Sequence, residues 1–195
     1  TIIAFNIHDV HIASRAAYPM VRAKLASLQH KERSMRLLTF FLALLCATAH
    51  AETITGRVNS VSDGDTLTLT DAANRQRQIR LSAIDAPEFN QDFGQNSRTG
   101  LSALAFGQLA SAECRFGIGR PHEYCFVNID GKDVGLELVR TGMAWWDRRS
   151  SAQQTPQARA DYEHAEFLAK TQRLGLWNSK NPIPPWEWRR GKTDE

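Results

Sequence analysis

The fold class of this chain can be inferred from one stretch, T-I-T-G-R-V-N-S-V-S-D-G-D-T-L-T-L-T at residues 53–70. Residues 53–62 alternate imperfectly between inward and outward positions, and Asp63-Gly64 is a strong signal for a β-hairpin turn. Residues 66–70 then return with a period of two. A turn at residues 71–74 leads into a third strand over residues 76–84. We therefore predict an antiparallel meander of three strands.

Downstream of the meander, the pattern predicts three helices and two more strands. Asn96 or Ser97 can cap the first helix, and Thr155-Pro156 supplies a cap and a first-turn proline for the last helix. The predicted elements are a helix over 97–108, strands over 112–116 and 124–129, and helices over 133–143 and 156–173. The order β-β-β-α-β-β-α-α is that of a five-stranded OB-fold barrel with three helices, which is an α+β fold with a mainly β core. The tail over residues 177–190 is rich in proline and tryptophan, and we expect it to lie over the domain surface.

Composition excludes several classes of protein. The chain has 195 residues, of which 42% are hydrophobic and 23% are charged, as in soluble globular proteins. Long disorder, collagen-like repeats and a polytopic membrane protein are therefore excluded. Of the net charge of +3, residues 1–51 contribute +4 and the remainder −1, so the charge of the remainder says little about a polyanionic partner.

Residues 35–51 have the composition of a secretory signal peptide. A basic start at residues 35–36 precedes an apolar run over residues 37–46 and a small-x-small exit at residues 49–51. The run is half as long as the ~20 residues of a membrane span, which disfavours an anchor. The bulky Leu45 disfavours a lipoprotein signal at Cys46. We expect residues 1–34 to be a non-functional upstream extension, residues 52–195 to form the domain, and the protein to be secreted or periplasmic.

Export leaves two cysteines, Cys114 and Cys125. An even pair in an oxidising compartment suggests one disulfide. In a simple hairpin of the fourth and fifth strands, the two cysteines would face each other. Two buried thiols are the alternative.

Four carboxylates flank the turns of the meander: Asp63, Asp65, Asp85 and Glu88. Each could serve only as a turn residue or a surface charge. In a meander, however, the end of strand three lies beside the start of strand two, so that Asp65 and Asp85 can converge. Several carboxylate oxygens and a backbone carbonyl suit Ca²⁺ or Mg²⁺. Zinc is disfavoured, since the histidines of the exported chain lack ligand spacing.

Arg80 precedes Asp85 by five residues, and Arg120 lies in a glycine-rich turn. An arginine beside carboxylates can be a plain salt bridge or can bind phosphate oxygens bidentately. Strand alternation places Arg80 on the face opposite Asp85, although twist or a bulge near the strand end could bring the two together. Core packing and clamping of the tail are favoured over base stacking for the five tryptophans, which are Trp145, Trp146, Trp177, Trp186 and Trp188.

Two motifs resemble the staphylococcal nuclease family: V-S-D-G-D-T at residues 61–66 and I-R-L-S-A-I-D-A-P-E at residues 79–88. Three later stretches resemble its bacterial secreted members: D-G-K-D-V-G-L-E-L-V-R-T-G-M-A-W, G-L-W and P-I-P-P-W-E-W-R. The resemblance therefore extends from residue 53 to about residue 190. It implies an OB barrel in which Asp65, Asp85 and the carbonyl of Ala86 hold Ca²⁺, with Asp63 in the outer shell.

The resemblance also implies that Glu88 orients or deprotonates the attacking water and that Arg80 binds phosphate. A second phosphate-binding arginine is expected in a Tyr-Gly-Arg turn, for which Ile118-Gly119-Arg120 is the best match and Arg115 the fallback. Ile in place of Tyr and a spacing of ten residues from Arg120 to Asp130 depart from the family pattern.

The resemblance predicts a Ca²⁺-dependent nuclease that cuts DNA and RNA with little sequence preference and leaves 3′-phosphate ends. We expect a monomer whose partners are its nucleic-acid substrates, without stable membrane association after signal cleavage. A non-catalytic OB module that binds nucleic acid and a metal-stabilised structural domain are the alternatives.

Overall fold

The computed structural model describes residues 52–115 and 123–191. Five strands form a closed barrel in the order β3-β2-β1-β5-β6, and a parallel pairing of β3 with β6 closes it. These strands are β1 (Glu52–Val61), β2 (Thr66–Asp71), β3 (Gln76–Leu81), β5 (Leu109–Arg115) and β6 (Glu123–Ile129). The structure thus confirms the predicted OB-fold, in which a helix stands between the third and fourth barrel strands.

Short strands and helices complete the domain. The two-residue strands are β4 (Ile84–Asp85), β7 (Lys132–Asp133) and β8 (Trp145–Trp146). The helices are α1 (Gly94–Ala105), α2 (Val134–Arg140), α3 (Pro156–Thr171) and α4 (Pro185–Gly191), with 3₁₀ turns at Arg148–Gln153 and Gly175–Asn178. Helix α4 lies in the tail and was not predicted from the sequence.

The predicted meander is present, but its third strand ends earlier than expected. β3 stops at Leu81, and the chain turns through Ala83, whose φ of 66° lies in the left-handed region. It then continues as β4, which pairs with β8 rather than with the barrel. The predicted strand over residues 76–84 is therefore two strands that belong to different sheets.

The three predicted helices correspond in order to α1, α2 and α3, and their ends differ. Helix α1 starts three residues before residue 97, with Phe93 in a left-handed conformation at its N-cap and no side-chain cap. The Ser97 hydroxyl instead donates to the carbonyl of Met143, a contact that binds α1 to the segment after α2. Helix α3 has the predicted start, because the Thr155 side chain accepts from the backbone N–H of Ala158 and proline follows it.

The core fills the barrel and the space under α1 and α2. It contains fully buried branched side chains from four of the five barrel strands and from both helices, such as Val58, Leu67, Ile79, Val127, Leu101 and Leu138, whereas β5 contributes small side chains. A smaller cluster at the tail joins Trp177 to Trp145, whose ring centroids lie 4.3 Å apart. These two tryptophans therefore pack the tail against the domain, as predicted.

Cys114 and Cys125 form a disulfide, as the sequence predicted. They are direct partners in the antiparallel register of β5 and β6, and both are fully buried. The predicted signal peptide, the upstream extension and the turn with Arg120 lie outside the described residues. Within residues 52–115 and 123–191, none of the helices combines the length and the apolar character that crossing a bilayer requires.

Candidate active site

The Asp63-Gly64 turn places Asp65 at the mouth of the barrel. The backbone N–H of Asp65 donates to Asp63 Oδ1 at 2.9 Å, and the N–H of Leu81 at the end of β3 donates to the Asp65 carbonyl at 2.8 Å. A side chain at Gly64 would overlap Ser97 Cβ at 2.6 Å and Ala86 Cβ at 2.7 Å. Only glycine fits there, so this turn packs directly against α1 and the β4 segment.

One guanidinium joins the two buried aspartates. Arg80 Nη2 lies 2.9 Å from Asp65 Oδ2 and 3.2 Å from Asp85 Oδ1. The backbone N–H of Ala86 donates to Asp65 Oδ2 at 3.2 Å. Both aspartate side chains are 3% exposed, whereas that of Arg80 is 27% exposed. The left-handed turn at Ala83 breaks the strand alternation that would otherwise separate Arg80 from Asp85.

Burial disfavours the ionised form of the Asp65 side chain. It raises the pKa of Asp65 to about 7, although the charge of Arg80 opposes the shift. The pKa of Arg80 itself is raised, because Asp65 and Asp85 outweigh the effect of burial. Arg80 therefore stays charged at the mouth of the barrel.

Glu88 follows the two aspartates on a loop held from both sides. Its backbone N–H donates to Gln91 Oε1 at 3.1 Å, and Gln91 Nε2 donates to the carbonyl of Ile183 in the tail at 2.6 Å. A Cβ at Gly94 would overlap the carbonyl oxygen of Glu88, so α1 starts in contact with this loop. The Glu88 side chain is 36% exposed and can reach water.

Two arginines that the sequence did not indicate also contact Asp85. Arg149 Nη2 lies 3.2 Å from Asp85 Oδ2, and Arg189 Nη2 lies 2.6 Å from the same oxygen. Arg189 Nη1 also donates to Glu88 Oε1 at 2.6 Å. The hydrogen bond to Asp85 is the largest effect that raises the pKa of Arg189. These arginines are 64 and 104 positions from Asp85 in the chain, and no local pattern predicts such contacts.

The structure brings together most of the predicted site residues. Asp63, Asp65, Arg80, Asp85, Ala86 and Glu88 lie at one end of the barrel. The predicted second arginine, Arg120, lies outside the described residues. Among the described residues, the one group of three His, Cys, Asp or Glu side chains with ligand atoms within 4.8 Å of one another is Cys114, Glu123 and Cys125, whose sulfurs are already joined in the disulfide.

Comparisons with known proteins give a consistent result. A family model described as "Staphylococcal nuclease homologue" matches residues 78–179. The chain is 37% identical over 155 residues to an "Uncharacterized endonuclease" of Haemophilus influenzae, covering 79% of this chain and 82% of that protein. It is 36% identical over 145 residues to a "Micrococcal nuclease" of Shigella flexneri, covering 69% of this chain and 80% of the relative. An "Uncharacterized endonuclease" of Escherichia coli is 34% identical over 159 residues, covering 80% and 95%.

Proposed function

This chain belongs to the staphylococcal nuclease family and is a nuclease. We propose that it is a Ca²⁺-dependent enzyme that cuts DNA and RNA with little sequence preference. The observation that carries the proposal is the meeting of Asp65 and Asp85 with Arg80 at the barrel mouth, where Arg189 joins Glu88 to Asp85. A groove that only binds nucleic acid has no need of three carboxylates beside the phosphates. A hydrolase needs them to hold a cation and to accept a proton.

The donor set fits a hard divalent cation. One nitrogen of Arg80 lies within 3.2 Å of oxygens on both aspartates, so the two side chains already share one cationic group. These oxygens belong to buried carboxylates, and burial raises the pKa of Asp65, so a bound cation would favour its ionised form. We propose that Asp65, Asp85 and the carbonyl oxygen of Ala86 hold the ion, with Asp63 in its outer shell. The bound ion would stabilise the negative charge that develops on the phosphate oxygens.

The proposed roles of the chain's own groups follow from their charge and exposure. Arg80 binds a nonbridging phosphate oxygen through its fixed fork of N–H donors, which serves the transition state best because negative charge gathers there. Glu88 accepts the proton of the attacking water, a form of general-base help that contributes about 10²–10⁴-fold. Arg120 remains the sequence-predicted second phosphate ligand.

The products and the location belong to the same proposal. By the family resemblance, attack releases the 5′ oxygen and leaves a 3′-phosphate end. We propose that residues 35–51 direct export and that the enzyme works as a monomer in the periplasm or outside the cell. The Cys114–Cys125 disulfide supports this location, because such bonds persist in oxidising compartments.

Digestion of denatured DNA by residues 52–195 tests the function. We expect cutting with Ca²⁺, none with chelator, and a loss of 10²-fold or more in Glu88→Gln. End-labelled products should carry a 3′-phosphate. Glu163→Gln makes the same charge change at an exposed position on α3 and should cut like wild type. DNA left intact but bound by folded protein under every condition would instead indicate the non-catalytic OB module.

A further inference from the structure

The C-terminal helix α4 brings Arg189 into the proposed active site, where the mechanism above gives it no role. Its guanidinium contacts Asp85 through both terminal nitrogens, at 3.1 Å from Nη1 to Oδ1 and 2.6 Å from Nη2 to Oδ2, and Nη1 also contacts Glu88. Arg80 approaches Asp85 from β3, whereas Arg189 comes from the tail. Asp85 thus has one arginine from the barrel, one from the 3₁₀ turn at Arg148–Gln153 and one from the end of the domain.

The hydrogen bonds of Arg189 leave one edge of its guanidinium open. A guanidinium has five N–H donors in a fixed plane, and two of them, on Nε and Nη2, point the same way. The side-chain hydrogen bonds of Arg189 to described residues use Nη1 or Nη2, and Nε donates to none of these residues. A phosphate could therefore take the Nε–Nη2 edge bidentately while the adjacent Nη1–Nη2 edge stays on Asp85.

The open edge borders a cationic depression. The side chain of Arg189 is 40% exposed. An open depression of about 580 Å³ is lined by Arg149, Trp186, Arg189 and Arg190. Arg149 uses Nε and Nη2 for its bonds to Asp147 and Asp85, and its Nη1 has no partner among the described residues. Three cationic side chains around one depression are suited to a polyanion.

Packing holds helix α4 in place. Trp186 lies edge-on to Trp145 with centroids 5.6 Å apart, and the Arg149 guanidinium lies 5.2 Å from the Trp186 ring centroid. Gln91, on the Glu88 loop, donates to the carbonyl of Ile183 just before the helix. The tail is therefore fixed to the elements that carry Glu88 and Asp85, so little entropy remains to be lost when Arg189 binds a ligand.

We propose that Arg189, with Arg149 beside it, binds a phosphodiester of the nucleic-acid strand through its Nε edge. The proposal rests on the proposed nuclease function and adds to it a phosphate-binding residue supplied by the tail rather than by the barrel. Because the contact is to the backbone, it serves DNA and RNA alike and adds no sequence preference.

Fluorescence anisotropy of a labelled single-stranded DNA tests the proposal in chelator, where metal-dependent cutting stops. We compare wild type, Arg189→Gln, Arg189→Lys and Arg159→Gln over a range of salt concentrations. Arg189→Gln is expected to raise Kd by at least about tenfold and to reduce the slope of log K against log salt by about 0.7. Arg159→Gln makes the same charge change on the exposed surface of α3 and should leave Kd within about twofold of wild type.

Arg189→Lys is the decisive variant, because lysine neutralises the carboxylates but has no bidentate edge. We expect it to keep the salt slope and to bind several-fold more weakly than wild type, with an unchanged melting temperature. Wild-type affinity in this variant, or no binding by wild type at low salt, would overturn the proposal. Cleavage by wild type with Ca²⁺ is scored separately, so that failure of the nuclease function and failure of this contact give different results.

Discussion

Removal of the Cys114–Cys125 bond should destabilise the domain without changing its fold. The two residues face each other in the β5–β6 pair and are 11 positions apart in sequence. The perturbation is reduction of the bond in denaturant followed by refolding, since both cysteines are fully buried and are shielded from a reductant in the native state.

The loop length sets the expected size of the effect. A cross-link that closes a loop of this length lowers the entropy of the denatured chain enough to contribute about 3 kcal/mol at 25 °C. A domain of this size loses about 2–4 °C of melting temperature for each kcal/mol. Reduction should therefore lower Tm by about 6–12 °C. Both thiols would stay in the core, which limits the packing loss.

Thermal unfolding by circular dichroism, with thiols counted on the same samples, measures the shift. The double variant Cys114→Ala/Cys125→Ala is the control, because reductant should leave its Tm unchanged. An equal Tm for the oxidised and the fully reduced protein would refute the loop-entropy reasoning. Two free thiols in protein that was never reduced would refute the bond itself.

Three further predictions concern the site and its support. In chelator, Asp65 contributes stability that is fully present below pH 3.8 and is lost as the pH rises to about 7, because burial raises its pKa in the folded protein. The Asp65→Asn variant should not show this loss of stability with rising pH, as measured by urea unfolding at several pH values. Gly94→Ala should slow cleavage by about 100-fold, since the added Cβ would displace the Glu88 loop. Glu166→Gln should cost about 2 kcal/mol in urea unfolding, because the buried carboxylate accepts from Arg148, Lys170 and a backbone N–H.

Each of these predictions has a matched control. A pH dependence that persists in the Asp65→Asn variant would assign the titration to another group. Gly131→Ala adds a Cβ at a left-handed position with open space around it, and it should lose stability while cutting at the wild-type rate. Glu163→Gln, exposed on the same helix as Glu166, should be neutral; equal costs at the two positions would contradict the role of the buried contacts.

The barrel and its carboxylates could be predicted because short-range chemistry specifies them. Asp63-Gly64 selects a hairpin, and the alternation in residues 66–70 selects a strand with one buried face. The register of β5 and β6 follows from the position of their connection, which brought Cys114 opposite Cys125. Each of these features depends on residues that are close together in the chain.

Other local signals were misleading because tertiary contacts outweigh them. Ser97 has the residue type of a helix cap, yet its hydroxyl bonds to Met143, and Phe93 occupies the cap position instead. The third strand was expected to continue to residue 84, but Ala83 takes a left-handed turn that alternation does not predict. Pairing of β4 with β8, rather than propensity, determines where β3 ends.

The sequence was enough to predict the order of the barrel strands, the disulfide pair and the carboxylates that lie together at the barrel mouth. Which arginines contact these carboxylates depends on the tertiary structure. Arg149 and Arg189 reach Asp85 across 64 and 104 residues. Those contacts exist because the barrel closes and because Trp145 and Trp186 pack the tail against it. Charge pairing over such distances depends on how the whole chain packs, and no local stretch of sequence encodes it.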